Sequence, residues 1–138
     1  MTEIEGLKNL GFMYYEGYRR EKNLKKAFDY FMQAAEKGDP EAARCVGKLY
    51  EDGLAVEKDN EKAFYWYGKA KEHYLELAEK GDADAQYYLG VIYENGEGVE
   101  QNYQEAIKWY EMALKKGHES SKIVLKELKI KMEAEKND

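Results

Sequence analysis

The segment YENGEGV, residues 93–99, combines glycines with acidic side chains, as phosphate-binding and calcium-binding loops do. A phosphate-binding P-loop ends in Lys followed by Ser or Thr and comes after a strand, and neither feature is predicted here. An EF-hand calcium loop has glycine at its sixth position, whereas counting from Glu94 places Val99 there. We therefore predict a loop between two helices, in which Glu94, Glu97 and Glu100 are solvated.

Other residue types that could do chemistry are few. The two histidines, His73 and His118, lie far apart in the chain, and the only serines, Ser120 and Ser121, are adjacent at a predicted helix start. No Ser–His–acid array is therefore predicted. Cys45 is the only cysteine, so neither a disulfide within the chain nor a cysteine-based zinc site can form. The sequence predicts no catalytic residue, no cofactor and no metal site, and hence a protein that is not an enzyme.

The composition is that of a folded acidic protein. Of the 138 residues 43% are hydrophobic and 36% are charged, and the net charge of −6 disfavours binding to nucleic acid. No apolar run is long enough to span a membrane, and the N-terminal segment does not resemble a secretory signal. We expect a cytoplasmic protein with no membrane partner, while a secreted or periplasmic location stays open if a signal was removed.

A repeated pattern of glycine, tyrosine and alanine divides the chain into three copies of one unit. Each copy has an aliphatic residue before a glycine, a tyrosine three residues later, and further on an alanine followed by an aromatic pair. The tyrosines are Tyr14, Tyr50 and Tyr93, and the alanines are Ala27, Ala63 and Ala106. The period is 36 residues, but the second copy holds seven extra residues near Lys71 to Leu77. A continuous, longer helix is expected there, and a break near Gly68 is the alternative.

Each copy is predicted to fold as two helices joined by a glycine loop. The segment Asp39-Pro40-Glu41 supplies a polar cap, a proline and an acid to start a first helix, and Asn23, Asp59 and Asn102 are expected to cap the second helices. The glycine after each aliphatic residue should let the second helix approach closely, with the alanine as the matching small residue. The aromatic pair should then fill the space between successive copies. Gly96 should end its helix in the left-handed conformation.

The third copy, LGVIYENGEGVEQNYQEAIKWYEMALKKG, resembles the Sel1-like repeat, a relative of the tetratricopeptide repeat. The second copy differs by Ala55 in place of the second loop glycine, and the first has lost the Gly-Val pair of that loop. The resemblance covers about residues 4 to 128. It implies an all-α fold, a right-handed α-α superhelix (solenoid) of three helix-turn-helix repeats plus a C-terminal capping helix. We expect one solenoid domain, 1–138, with repeats at about 4–38, 40–81 and 83–117 and the capping helix at about 119–134.

In such a solenoid the first helices of the repeats line a concave surface that binds other proteins. Helical periodicity places nine residues there. They are Lys8, Phe12 and Tyr15 in the first repeat, Arg44, Lys48 and Glu51 in the second, and Tyr87, Val91 and Glu94 in the third. The cluster of Lys8, Arg44 and Lys48 suits an extended peptide with an acidic group between apolar anchors. These residues could equally be ordinary solvated charges and scattered aromatic rings.

The sequence therefore predicts a non-enzymatic protein–protein interaction module, an adaptor or scaffold that acts as a monomer or weak oligomer. Its partner would be another protein or a peptide. A self-assembling structural protein and a cryptic hydrolase are the alternatives.

Overall fold

The computed structural model describes residues 1–137, and within them the chain forms seven α-helices and no strand. The helices are α1 (Glu3–Glu16), α2 (Leu24–Glu36), α3 (Pro40–Asp52), α4 (Asn60–Glu79), α5 (Ala83–Asn95), α6 (Tyr103–Lys115) and α7 (Glu119–Lys136). The all-α class predicted from the sequence is confirmed. Among these helices none is both long enough and apolar enough to cross a membrane.

The helices begin where the sequence predicts polar caps. The side chains of Asn23, Asp39 and Asn102 each accept a hydrogen bond from the backbone N–H three residues later, at 2.8–3.0 Å. Asp59 does the same at the start of α4. Gly96 ends α5 in the left-handed conformation at φ 69°, as predicted.

The chain divides into two compact units, and the boundary falls inside α4. The first unit, Met1–His73, packs α1 on α2 and α2 on α3 around a core of alanines and Phe31. The second unit begins at Tyr74 and packs α6 against α5 and α7. A cluster of Ala106, Tyr110, Leu125 and Leu128 is buried there. The single solenoid domain expected for residues 1–138 stays a prediction.

Each glycine of the repeated pattern lies against the second aromatic ring of its own repeat. A Cβ atom at Gly90 would lie 2.4 Å from Cε1 of Tyr110, and one at Gly47 would lie 2.8 Å from Cδ1 of Tyr67. Gly11 faces Phe31 in the same way. The second ring of each pair thus fills the space that the glycine leaves within its own copy. Tyr110 also lies in one buried cluster with Leu125 and Leu128 of α7, so in the third copy the ring contacts the following helix as well.

The seven extra residues lengthen α4 without a break. Helix α4 has 20 residues, against 13 in both α2 and α6, so the expected continuous helix is confirmed. Seven residues are close to two helical turns, and buried tyrosines accordingly recur on one face. Tyr67 packs on Gly47 in the first unit, and Tyr74 stacks on Tyr88 in the second, with 5.0 Å between ring centres. With the insertion, helix α4 supplies one buried tyrosine to each unit, Tyr67 to the first and Tyr74 to the second.

Candidate partner-binding site

The first unit has an open cavity of about 510 Å³ beside α1, lined by Met1, Glu5, Lys8, Asn9, Phe12 and Glu41. Two of the predicted partner-binding residues, Lys8 and Phe12, therefore share one cavity. Phe12 is 36% exposed, and its ring contacts Phe31 edge-on with 4.9 Å between centres. This contact holds an aromatic surface at the cavity while part of Phe12 stays open to solvent.

Lys8 is held between two acids at the start of α3. Its Nζ lies 3.3 Å from Asp39 and 3.4 Å from Glu41. Partial burial alone would lower the pKa of Lys8, but the two carboxylates outweigh it, and the pKa is raised. Because Asp39 also caps α3, the contact ties α1 to the start of that helix. The charge of Lys8 is therefore largely balanced before any partner arrives.

A second ion pair lies at the C-terminal end of α3. Nζ of Lys48 lies 3.8 Å from Glu51 and 3.7 Å from Asp52, and all three side chains are substantially exposed. Glu51 also accepts a hydrogen bond from the hydroxyl of Tyr67 at 3.1 Å. The predicted basic cluster is thus interleaved with acids. Arg44, like Tyr15 in the first repeat, is half-buried.

The predicted residues of the second unit make contacts that also stabilise its core. Tyr87 and Val91 are partly buried against the cluster around Tyr110. Glu94 accepts a hydrogen bond from the Tyr110 hydroxyl at 2.8 Å, and burial together with this bond raises the pKa of Tyr110. The expectation of solvated acids is wrong for Glu97, which is 6% exposed and accepts a hydrogen bond from the side chain of Asn95.

The tyrosine–glutamate hydrogen bond is a repeat feature that the sequence analysis missed. Tyr67 bonds Glu51, and Tyr110 bonds Glu94, over the same separation of 16 residues. In the first repeat both positions differ, with Phe31 for the tyrosine and Tyr15 for the glutamate. Tyrosine and glutamate are present together in the second and third repeats and absent together from the first. This correlation in the sequence could have identified the hydrogen-bonded pair.

Contrary to the sequence-based expectation, a serine, a histidine and an acid do come together. Nδ1 of His118 lies 3.0 Å from Oγ of Ser121, and its Nε2 lies 3.0 Å from Asp84. The backbone N–H of Ser121 also donates to Nδ1, so His118 is the N-cap of α7. Its ring stacks on Tyr87 with 4.8 Å between centres. Ser121 has no exposed surface, so a substrate cannot reach its hydroxyl. The role of the array is structural, because it joins the start of α7 to α5.

No group of three or more potential metal ligands comes together within residues 1–137.

A family model for the Sel1 repeat matches residues 4–39, 40–74 and 83–118. The chain is similar to the crystal structure of a Sel1 repeat protein from Oxalobacter formigenes, with 32% identity, a TM-score of 0.62, and coverage of 89% of this chain and 47% of that one. It is also similar to Helicobacter pylori cysteine rich protein B, with 28% identity, a TM-score of 0.50, and coverage of 90% of this chain and 98% of that one.

Among curated proteins, the chain is 30% identical over 86 residues to eukaryotic elongation factor 2 kinase of Rattus norvegicus. The match covers 52% of this chain but 12% of the kinase. The same figures hold for the Mus musculus kinase.

Proposed function

Because this chain belongs to the Sel1 repeat family, whose members typically mediate protein–protein interactions, we propose that it is a non-enzymatic adaptor or scaffold. It binds a partner protein or peptide through the first helices of its repeats. The observation that carries this proposal is the open cavity beside Phe12, on the helix face where the repeat pattern predicts binding. Its volume of about 510 Å³ lies within the range of ordinary ligand pockets.

The surroundings of the cavity favour a partner segment with both apolar and polar contacts. Phe12 supplies an apolar wall, and Asn9, whose amide makes one long contact to the sulfur of Met1, can exchange it for a hydrogen bond to a partner main chain. An acidic group on the partner would have to compete with Asp39 and Glu41 for Lys8. It would meet less competition at Lys48, whose ion pairs are exposed and therefore weak.

The proposal is tested by placing a photo-cross-linking phenylalanine analogue at position 12 in the full chain. The control carries the analogue at Tyr65, an exposed aromatic residue of α4. The proposal expects a partner protein to be cross-linked from position 12 in its native host and not from position 65. Equal cross-linking from both positions would contradict it, because general stickiness would then explain the capture.

Charge reversal then tests the polar part of the surface with the purified partner. Arg44→Glu combined with Lys48→Glu should weaken binding at least about fivefold, since each exposed charge contact contributes up to roughly 1 kcal/mol. The single change Lys69→Glu, on α4, should leave binding unchanged. Both variants should melt within a few degrees of the wild type. Unchanged affinity of the Arg44/Lys48 variant would remove these residues from the binding surface.

The hydrolase alternative would have to use the array of Asp84, His118 and Ser121, and the full burial of Ser121 argues against it.

A further inference from the structure

The loop between α1 and α2 concentrates positive charge on an otherwise acidic protein. Residues 17–26, GYRREKNLKK, contain one acid and five cations, whereas the whole chain carries a net charge of −6. The cations, which we term the loop cation cluster, are Arg19, Arg20, Lys22, Lys25 and Lys26, and all five are exposed. The corresponding ten residues of the second repeat, GLAVEKDNEK, contain two lysines and three acids, and those of the third, GEGVEQNYQE, contain no cation. An excess of cations over acids in this loop is therefore a feature of the first repeat alone.

Aromatic rings lie beside four of these five cations, namely Arg19, Arg20, Lys25 and Lys26. Lys25 lies 3.7 Å from Asp29, but within residues 1–137 the other four make no ion pair. The guanidinium carbon of Arg20 lies 4.9 Å from the ring centre of Tyr14, and Nζ of Lys26 lies 5.2 Å from the same ring. Tyr14 in turn stacks on Tyr30 at 5.8 Å. A ring attracts a cation without neutralising its charge, so the charge stays available to a partner.

The backbone of the loop is strained at one of the arginines. Arg19 has φ 61°, a left-handed conformation that glycine adopts without cost. The equivalent residue of the third repeat is Gly98, at φ 71°, and that of the second is Ala55, at φ 70°. The first repeat therefore keeps an arginine where glycine would give a more stable loop. Ala55 bears the same strain without a charge, so the strain matters here because at Arg19 it places a cation in the loop.

The start of α2 adds to the excess of positive charge. Of the seven helices in the described residues, α2 is the one without an acid in its first turn. Lys25 and Lys26 occupy that turn instead. The helix dipole favours negative charge at this end, so an anion supplied by another molecule would interact with both the dipole and the cations.

We propose that the loop cation cluster is a docking surface for an acidic segment of a partner protein, a run of aspartates and glutamates. The inference rests on the proposed interaction function but not on the cavity beside Phe12. A polypeptide fits better than a nucleic acid, because the cluster is confined to one loop and the rest of the chain would repel a long phosphate backbone.

The test measures binding of fluorescein-labelled decaglutamate to the full chain by fluorescence anisotropy at low ionic strength. Wild-type protein should bind, and high salt should release the peptide. The double variant Arg20→Glu/Lys26→Glu, which reverses both charges over Tyr14, should bind at least about tenfold more weakly. The matched control is Lys62→Glu/Lys69→Glu on α4, whose lysines also lie over rings, at 5.6 Å from Tyr50 and Tyr65. It should bind within about twofold of wild type.

A second pair of variants separates binding from folding. Arg19→Gly should weaken decaglutamate binding about threefold while raising the melting temperature by a few degrees. Ala55→Gly relieves the same backbone strain in the second repeat, so it should raise the melting temperature without changing binding. A structural role for Arg19 would instead give parallel effects in the two variants.

Three results would overturn the proposal. One is no binding of decaglutamate to the wild type, and another is equal weakening in the two double variants. The third is tighter binding of a decathymidine oligonucleotide, or of phosphatidylserine vesicles, than of decaglutamate. Since the peptide assay needs no native partner, its failure would leave the cross-linking test at position 12 as an independent test of the proposed function.

Discussion

Replacing Gly47 with alanine is expected to destabilise the first unit, although the same change inside a helix usually stabilises a protein. A Cβ atom there would lie 2.8 Å from Cδ1 and 2.9 Å from Cε1 of Tyr67. Such distances lie well inside van der Waals contact, so either the ring or the two helices must move. The ring is 3% exposed, and its hydroxyl donates to Glu51 at 3.1 Å. A displaced ring would therefore strain its packing and its hydrogen bond together.

The magnitude follows from three terms. Alanine in a helix interior is about 1 kcal/mol more favourable than glycine. Overpacking of a well-packed core costs about 1–3 kcal/mol, and weakening the bond between Tyr67 and Glu51 costs roughly another 1 kcal/mol. The free energy of unfolding should thus fall by about 2 kcal/mol. Gly90→Ala should cost more, because its Cβ would lie 2.4 Å from the ring of Tyr110.

Gly68→Ala is the matched control in the same unit. Gly68 follows Tyr67 within α4, and apart from its chain neighbours and the adjacent backbone of α4 no atom lies within 4 Å of a Cβ built on it. This change should raise the free energy of unfolding by about 1 kcal/mol. Urea denaturation followed by circular dichroism measures both variants. The explanation of the repeat glycines would be refuted if Gly47→Ala were as stable as the wild type or shifted in the same direction as Gly68→Ala.

Three further changes probe burial and helix register. Partial burial raises the pKa of Cys45 to about 12, so a thiol reagent at mildly alkaline pH should label it much more slowly in the folded protein than after unfolding. Raising the pH above the unfolded thiol pKa of 9.0 should lower stability, because the unfolded state then loses its proton first. Equal labelling rates in the folded and unfolded states would contradict this. Gln86 is fully buried, and its Oε1 has no hydrogen-bond partner among residues 1–137, so Gln86→Met should preserve or raise the melting temperature. The change removes the hydrogen bond that Nε2 of Gln86 donates to the carbonyl of Ala78, but that carbonyl keeps its bond from the backbone N–H of Gly81. Deleting residues 71–77 should leave a protein with a cooperative thermal melt, because seven residues are close to two helical turns. Deleting only five of these residues rotates the apolar face by about 140° and should abolish the cooperative melt. Equal melts of the two variants would refute the register argument.

Much of the fold could be predicted because residues with the same structural role, such as helix caps, recur at equivalent positions in the three repeats. Asn23, Asp59 and Asn102 cap helices at equivalent positions, and one copy alone would have been weak support for a cap. The ring over each glycine was missed because periodicity shows which residues share a face but not which side chain fills a given space. His118 was missed for a related reason, since its role as a cap depends on Asp84, which lies on another helix.

The candidate site was harder to predict because charge on a surface depends on neighbours from other helices. Lys8 and Arg44 look like a basic cluster when the first helices are compared by register. The structure shows instead that Asp39 and Glu41, at the start of α3, balance Lys8. The register gives the face on which a charge lies, and only the packed structure gives the charges that surround it.

Comparing the repeats with one another separates positions that serve packing from positions that serve binding. At packing positions a change in one copy is matched by another, as where Phe31 and Tyr15 replace the hydrogen-bonded tyrosine and glutamate. Arg19 departs from its equivalent, Gly98, with no such compensation, and the loop bears the strain. Ala55 shows that the fold tolerates a side chain at this position, so strain alone does not identify a binding residue. What distinguishes Arg19 is that its strained backbone carries a cation into a cluster in which, among residues 1–137, only Lys25 makes an ion pair.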